Sequence, residues 1–119
     1  MDAASRGAKS ANGLTVGILP TGDYASCSAA VDIPILTGLG QARNVINVLS
    51  SQVIVACGMG AGTASEVALA LKTKPPVILL NTTPESQAFF QSLSPDRVLI
   101  APDVATAIGQ IASLLAQAG

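Results

Sequence analysis

The sequence predicts an α/β fold, a Rossmann-like parallel sheet with helices on both faces, and three observations lead there. Short aliphatic, β-branched runs alternate with longer helical stretches along the whole chain. The runs are continuously apolar, the pattern of strands covered on both faces. One of them, Val53-Ile54-Val55-Ala56-Cys57, leads into a glycine-rich turn from which a further helix starts.

With 119 residues, half of them hydrophobic, the chain is expected to form a single domain, residues 1–119, with a proper core. A net charge of −1, with only six Lys and Arg, offers no basic field, so no nucleic-acid partner is expected. Charged residues make up 11% of the chain, which points to a surface covered by another subunit, a homo-oligomer. Histidine is absent, which removes Ser-His-Asp and Cys-His catalysis and the commonest zinc ligand. Cys27 and Cys57 have no metal-binding spacing; Cys57 is expected in the core and Cys27 in a polar loop, so no metal site is expected. No apolar run is long enough to span a bilayer and no signal-peptide pattern opens the chain, so a cytoplasmic protein without a membrane partner is expected.

Residues 2–12 read as a helix stopped by Asn12-Gly13. Leu14 to Leu19 is the first strand, closed by Pro20-Thr21-Gly22, and an irregular polar loop follows. Val31 to Leu36 is a short strand in which Pro34 requires a free edge. Thr37-Gly38-Leu39-Gly40 turns into a helix from about Gln41 to Ser50, with Val45, Ile46, Val48 and Leu49 inward and Arg43, Asn47 and Ser50 on a polar stripe. The central strand, Val53 to Cys57, is followed by the glycine turn and a helix closed by Lys72 to Lys74. Val77 to Leu80 is a buried strand, and Pro84 starts a helix capped by Thr83. Arg97 to Ala101 is the last strand. Asp103 caps a final helix to about Gln117, with Ala107, Ile108, Ile111, Leu114 and Leu115 as its apolar face.

The turn Gly58-Met59-Gly60-Ala61-Gly62-Thr63 carries two readings. Glycines at a helix start let backbone amides and the positive end of the dipole meet a phosphate or carboxylate. Equally, Thr63-Ala64-Ser65-Glu66 is a capping box, with Thr63 as the cap and Glu66 reaching back to its amide, and the glycines would then be architectural. The residues alone leave both open.

The run Gly58-Met59-Gly60-Ala61-Gly62-Thr63-Ala64-Ser65-Glu66 resembles the PGGxGTxxE motif of the lysine-decarboxylase-like Rossmann family, which includes the Lonely Guy phosphoribohydrolases and the molybdenum cofactor carriers. Arg43 lies fifteen residues before Gly58, as an arginine does in the hydrolases. Val31 to Ile35, Thr37 to Gly40 and Glu66 to Lys72 are most similar to the carrier branch. Gly58 and Met59 stand where the motif has proline and glycine, which suits that branch better. The resemblance implies that the family's N-terminal strand, helix, strand and glycine-rich loop are not in this chain.

It implies a phosphorylated pterin, the molybdenum cofactor, as bound ligand. Gly58, Gly60, Gly62 and Thr63 would hold its terminal phosphate, aided by Arg43, and Pro20, Thr21, Gly22, Gly38 and Gly40 would line the crevice. For a phosphoribohydrolase, Arg43 and Glu66 would be the catalytic pair, Glu66 acting on the oxocarbenium-like centre or on water. An inactive truncated remnant is the third alternative. Binding without catalysis is the reading this branch favours.

Overall fold

The computed structural model describes residues 1–118, which form two compact units, one ending at Asn47 and one beginning at Val48. Residues 1–47 hold helix α1 (Asp2–Ser10), strands β1 (Val16–Leu19) and β2 (Ile33–Leu36), a 3-10 turn at Gly40–Ala42 and the first residues of α2 (Arg43–Leu49). Asn12 adopts a φ of 61°, and the amides of Asn12 and Gly13 donate to the carbonyls of Lys9 and Ala8 at 3.0 and 2.7 Å. This paired closure of the last turn stops α1 where the sequence places its stop signal.

α1 buries none of its residues and is held by polar contacts. Lys9 Nζ donates to Asp32 at 2.8 Å, while Asp2 accepts from Arg6 at 2.8 Å and from the Ser28 hydroxyl. Asp32 also accepts from the amide and hydroxyl of Thr15, and Lys9 and these donors hold its carboxyl below the usual range. β1 and β2 pair in parallel from Val16–Ile33 to Leu19–Leu36. Both strands begin two residues later than expected from Leu14 and Val31, because side chains and turns take the amides first. The Thr15 amide goes to Asp32 and the Val31 amide turns back to Ser28. Pro34 stands opposite Gly17 in a two-stranded sheet, which provides the free edge it requires.

From Val48 onward, β3 (Ile54–Cys57), β4 (Val77–Leu80) and β5 (Val98–Ala101) form a parallel sheet in the order β3-β4-β5, with helices α3 (Ala61–Lys72), α4 (Pro84–Leu93) and α5 (Val104–Ala118) after successive strands. The two-residue period of the strands sorts their side chains into two cores. Ala56, Val77, Leu79 and Val98 pack with Val48, Val67, Ala70 and Phe90 on the α3–α4 face. Ile78 and Ala101 pack with Ala107 of α5, flanked by Val55, Leu99, Ile111 and Leu114, on the other. β4 is buried on both faces, which is why Val77-Ile78-Leu79-Leu80 is apolar without a break.

Each helix end has an identifiable partner or its absence. Thr83 accepts the Ser86 amide at 3.3 Å to start α4, and Asp103 accepts the Thr106 amide at 2.7 Å to start α5. Arg97 closes the far end of α3, its guanidinium donating to the carbonyls of Ala70, Leu71 and Thr73. α3 begins at Gly60 without a side-chain cap.

Several expectations are corrected. β3, expected at the centre, is an edge strand, and β4 is the central strand of its sheet. Cys57, at the end of that edge strand, is exposed and not a core residue. Helix α3 begins at Ala61, so Thr63 lies inside its first turn, Gly60 is the cap residue, and the Thr63–Glu66 capping box does not form. On α2, Asn44 and Val48 are buried while Val45 and Leu49 are exposed. On α5, Ile108 and Leu115 face solvent, and Ala107, Ile111 and Leu114 make the inner face.

Candidate functional site

Within residues 48–118 the candidate site is the turn from β3 into α3. The Gly58 amide donates to the Leu80 carbonyl at 2.9 Å, which pins the turn to the end of β4. Met59 packs against the α3–α4 core and anchors the turn from below. Gly58 has φ 76°, a left-handed conformation that favours glycine. Gly60 is different: its φ of −120° and ψ of −178° are extended backbone open to any residue. A Cβ built at Gly60 or Gly62 would meet nothing within 4 Å. Neither backbone strain nor packing accounts for these glycines, which leave clear space before the helix start.

That start is chemically open. The Ala64 amide is the first to find an intrahelical acceptor, the Gly60 carbonyl at 2.8 Å. By helix geometry the amides of Ala61, Gly62 and Thr63 precede the first intrahelical bond and point out of the N-terminus, at the positive end of the dipole. Thr63, half-buried, adds a hydroxyl to the same turn, and Glu66, also half-buried, lies three residues further along α3. The neighbouring helices α4 and α5 are capped by a Thr or Asp side chain that accepts a first-turn amide; α3 has no side-chain cap. Such an end accepts an anion with several oxygens.

Within residues 1–47 a second group of expected residues comes together past the carboxyl ends of β1 and β2. The Gly40 amide donates to Pro20 at 2.9 Å and the Gly38 amide to Thr21 at 3.1 Å, while Gly38 and Gly40 take φ values of 64° and 58°. Arg43 Nη1 donates to the Ile18 carbonyl at 3.0 Å, so part of this guanidinium braces the end of β1. Its Nε is buried without a hydrogen-bond partner. Gly22 has open space around it. Among the described residues no cluster of His, Cys, Asp and Glu is placed to hold a metal ion.

Two residues escaped the sequence reading. Asn81, just past β4, is exposed with φ 56°, and its signal was an asparagine directly after an apolar run. Tyr24 is 62% exposed in the loop after β1, and its signal was being the single tyrosine of the chain. An open groove of about 660 Å³ lined by Leu49, Lys72, Lys74, Pro75 and Pro76 lies at the opposite, amino-terminal edge of the sheet. Open parallel sheets receive ligands at the carboxyl edge, so the groove is not taken as the site.

Parallel strands feeding helices, with a glycine turn at a carboxyl edge, define a Rossmann-like α/β protein. The chain belongs to the SLOG cluster4 family, whose model matches residues 1–108. It is similar to the structure of the molybdenum cofactor binding protein from the phototrophic bacterium Rippkaea orientalis, with 56% identity and a TM-score of 0.93 over 97% of this chain and 71% of that one. It is also similar to the molybdenum cofactor carrier protein of Chlamydomonas reinhardtii, at 58% identity and a TM-score of 0.90, covering 95% of this chain and 69% of that one. An uncharacterised protein of Archaeoglobus fulgidus is 46% identical over 86 residues, and the match spans 66% of this chain and 56% of that relative. No helix of the described residues is long and apolar enough to cross a membrane.

Proposed function

We propose that this chain binds and carries a phosphorylated pterin, the molybdenum cofactor, with its terminal phosphate at the start of α3. The observation that carries the reading is the uncapped helix start behind Gly60 and Gly62, with nothing to fill the space a side chain would occupy. The likeness to cofactor-binding and carrier proteins supports the pterin over other phosphate ligands. The phosphate would accept from the amides of Ala61, Gly62 and Thr63 and from the Thr63 hydroxyl, charge-assisted bonds that need no proton transfer. The cofactor is cargo, and the role of the chain is to bind it.

Arg43, with Pro20, Thr21, Gly22, Gly38 and Gly40, is the second part of the proposal. Arg43→Ala should weaken binding of the phosphorylated pterin by about 1.5–3 kcal/mol, the worth of a hydrogen bond to a charged group. Calorimetry with the purified protein reads this directly, and an unchanged affinity removes Arg43 from the binding residues. The same protein incubated with adenosine 5′-monophosphate should release no free base. Steady turnover that disappears in Glu66→Gln would replace the carrier with a phosphoribohydrolase.

We also propose that the chain forms homo-oligomers through α2, where Val45 and Leu49, four residues apart, are 40% and 62% exposed. Leu49→Lys should shift the sedimentation profile towards monomer while leaving the far-UV circular dichroism unchanged, since Leu49 packs little within its own chain. A wild-type protein that sediments as a monomer at all concentrations would end this reading.

A further inference from the structure

We propose that the groove at the amino-terminal edge of the β3-β4-β5 sheet docks an acidic segment of a partner protein, a short extended stretch in which apolar side chains are flanked by carboxylates. The groove, about 660 Å³, lies wholly within residues 48–118 and is open to solvent. Leu49, Pro75, Pro76 and Ala118 make most of its lining apolar, and Lys72 and Lys74, both exposed, belong to the same lining. The proposal is independent of the ligand reading above, because the glycine turn stands at the opposite edge of this sheet.

Lysines at the end of a helix commonly serve its last carbonyls and the negative end of its dipole. At the end of α3 Arg97 takes that role, donating to the carbonyls of Ala70, Leu71 and Thr73. The Thr73 amide and hydroxyl also turn back to the Leu69 and Ala70 carbonyls. The helix is thus closed without either lysine. Among the described residues neither Lys72 nor Lys74 is in an ion pair, and none of the acidic side chains of residues 48–118, Glu66, Glu85, Asp96 and Asp103, lines the groove. Two ammonium groups beside an apolar surface are complementary to a guest that sets carboxylates next to apolar side chains. The wall they stand on is stiff. Pro75 and Pro76 have a fixed φ, the Pro76 carbonyl accepts the Ile54 amide at 3.0 Å, and the Val77 amide donates to the Arg97 carbonyl at 2.8 Å. Little ordering therefore remains to be done when a segment docks. A second copy of this chain does not meet the description. Its acidic side chains nearest in sequence, Asp96 and Asp103, are seven residues apart, so no stretch of it sets two carboxylates side by side.

Fluorescence polarisation tests this with a labelled six-residue peptide, two leucines flanked on each side by two glutamates, and a control with glutamine in place of every glutamate. The purified protein should bind the acidic peptide about tenfold tighter than the control, and added salt should narrow the difference. The double variant Lys72→Gln, Lys74→Gln should bind the acidic peptide about tenfold more weakly with unchanged far-UV circular dichroism, since both side chains are exposed. Inorganic phosphate should not displace the peptide. Equal binding of the two peptides by the wild-type protein, or binding of neither, overturns the proposal without recourse to any variant. Displacement by inorganic phosphate also overturns it, by moving the peptide to the glycine turn. A double variant that keeps the peptide but loses self-association in sedimentation assigns the groove to a second copy, and the proposal falls.

Discussion

Gly62→Asp is expected to lower affinity for a phosphorylated pterin by about 100-fold or more while leaving the fold intact or slightly more stable. The residue sits in the first turn of α3, where a carboxylate would face the incoming phosphate, and like charges set against each other cost several kcal/mol. The same substitution suits the helix. Glycine in a helix is about 0.8–1 kcal/mol worse than alanine, and an acidic residue near the N-terminus gains roughly 0.3–1 kcal/mol from the dipole. A Cβ there meets nothing within 4 Å, so no clash offsets those gains. Calorimetry and a thermal melt on one preparation separate the two effects. Retained affinity would move the phosphate away from α3, and a lowered melting temperature would mean that Gly62 has a structural role not visible in its surroundings.

The second large effect lies in the core. Phe90→Ala should cost about 3–5 kcal/mol, the range for removing a buried aromatic and leaving its cavity. Phe90 belongs to the cluster formed by Val67, Val77, Leu79 and Val98, and it ties α4 to the sheet from a position on the opposite face to α5. Domains of this size have roughly 5–15 kcal/mol in hand, so about a fifth or more of the stability would go. Phe89→Ala, in the adjacent but 58% exposed position, should cost under about 1 kcal/mol. Urea denaturation of the two variants provides the comparison. Equal costs would mean that the sheet buries Phe89 as well, contrary to its exposure.

The alternation of elements was legible because burial on both faces leaves no polar residue in a strand such as Val77–Leu80. What stayed hidden depends on pairing. Composition does not say which strand lies at an edge, so Val53–Cys57, apolar and followed by the glycine turn, was expected at the centre and Cys57 in the core. Strand starts were misjudged at Leu14, because the Asp32 carboxylate claims the Thr15 amide in a long-range bond that no local pattern announces, and at Val31, because its amide turns back to the Ser28 carbonyl. On α2 and α5, helical spacing marked which residues are apolar but not which arc of the helix meets the sheet. Asn44 and Ala107 turned inward, and Val45, Leu49, Ile108 and Leu115 outward.

At the site, the glycine turn was visible as such, whereas its detail was not. Thr63 resembled a cap because serine or threonine followed three residues later by glutamate is a strong local signal. The helix instead starts before it, at Ala61, because the preceding Gly60 is already extended and its carbonyl accepts the Ala64 amide. The result is a threonine placed within the first turn. Tyr24 went unremarked because an exposed aromatic in a polar loop has no local pattern.

The three carbonyls that Arg97 holds at the end of α3 have a consequence for how this helix breathes. A helix usually frays from both ends, but here one end is fastened to the residue that precedes β5, 24 to 27 positions along the chain. Unwinding that end requires the start of β5 to let go, so its amides should exchange with solvent only in larger openings of the sheet. The other end has no such tie, and Ala61, Gly62 and Thr63 should exchange within the fastest class. A bound phosphate would slow those three amides and leave the Arg97 end unchanged, since it is already closed. The helix is therefore a lever held at its foot, and the ligand arrives at the free end.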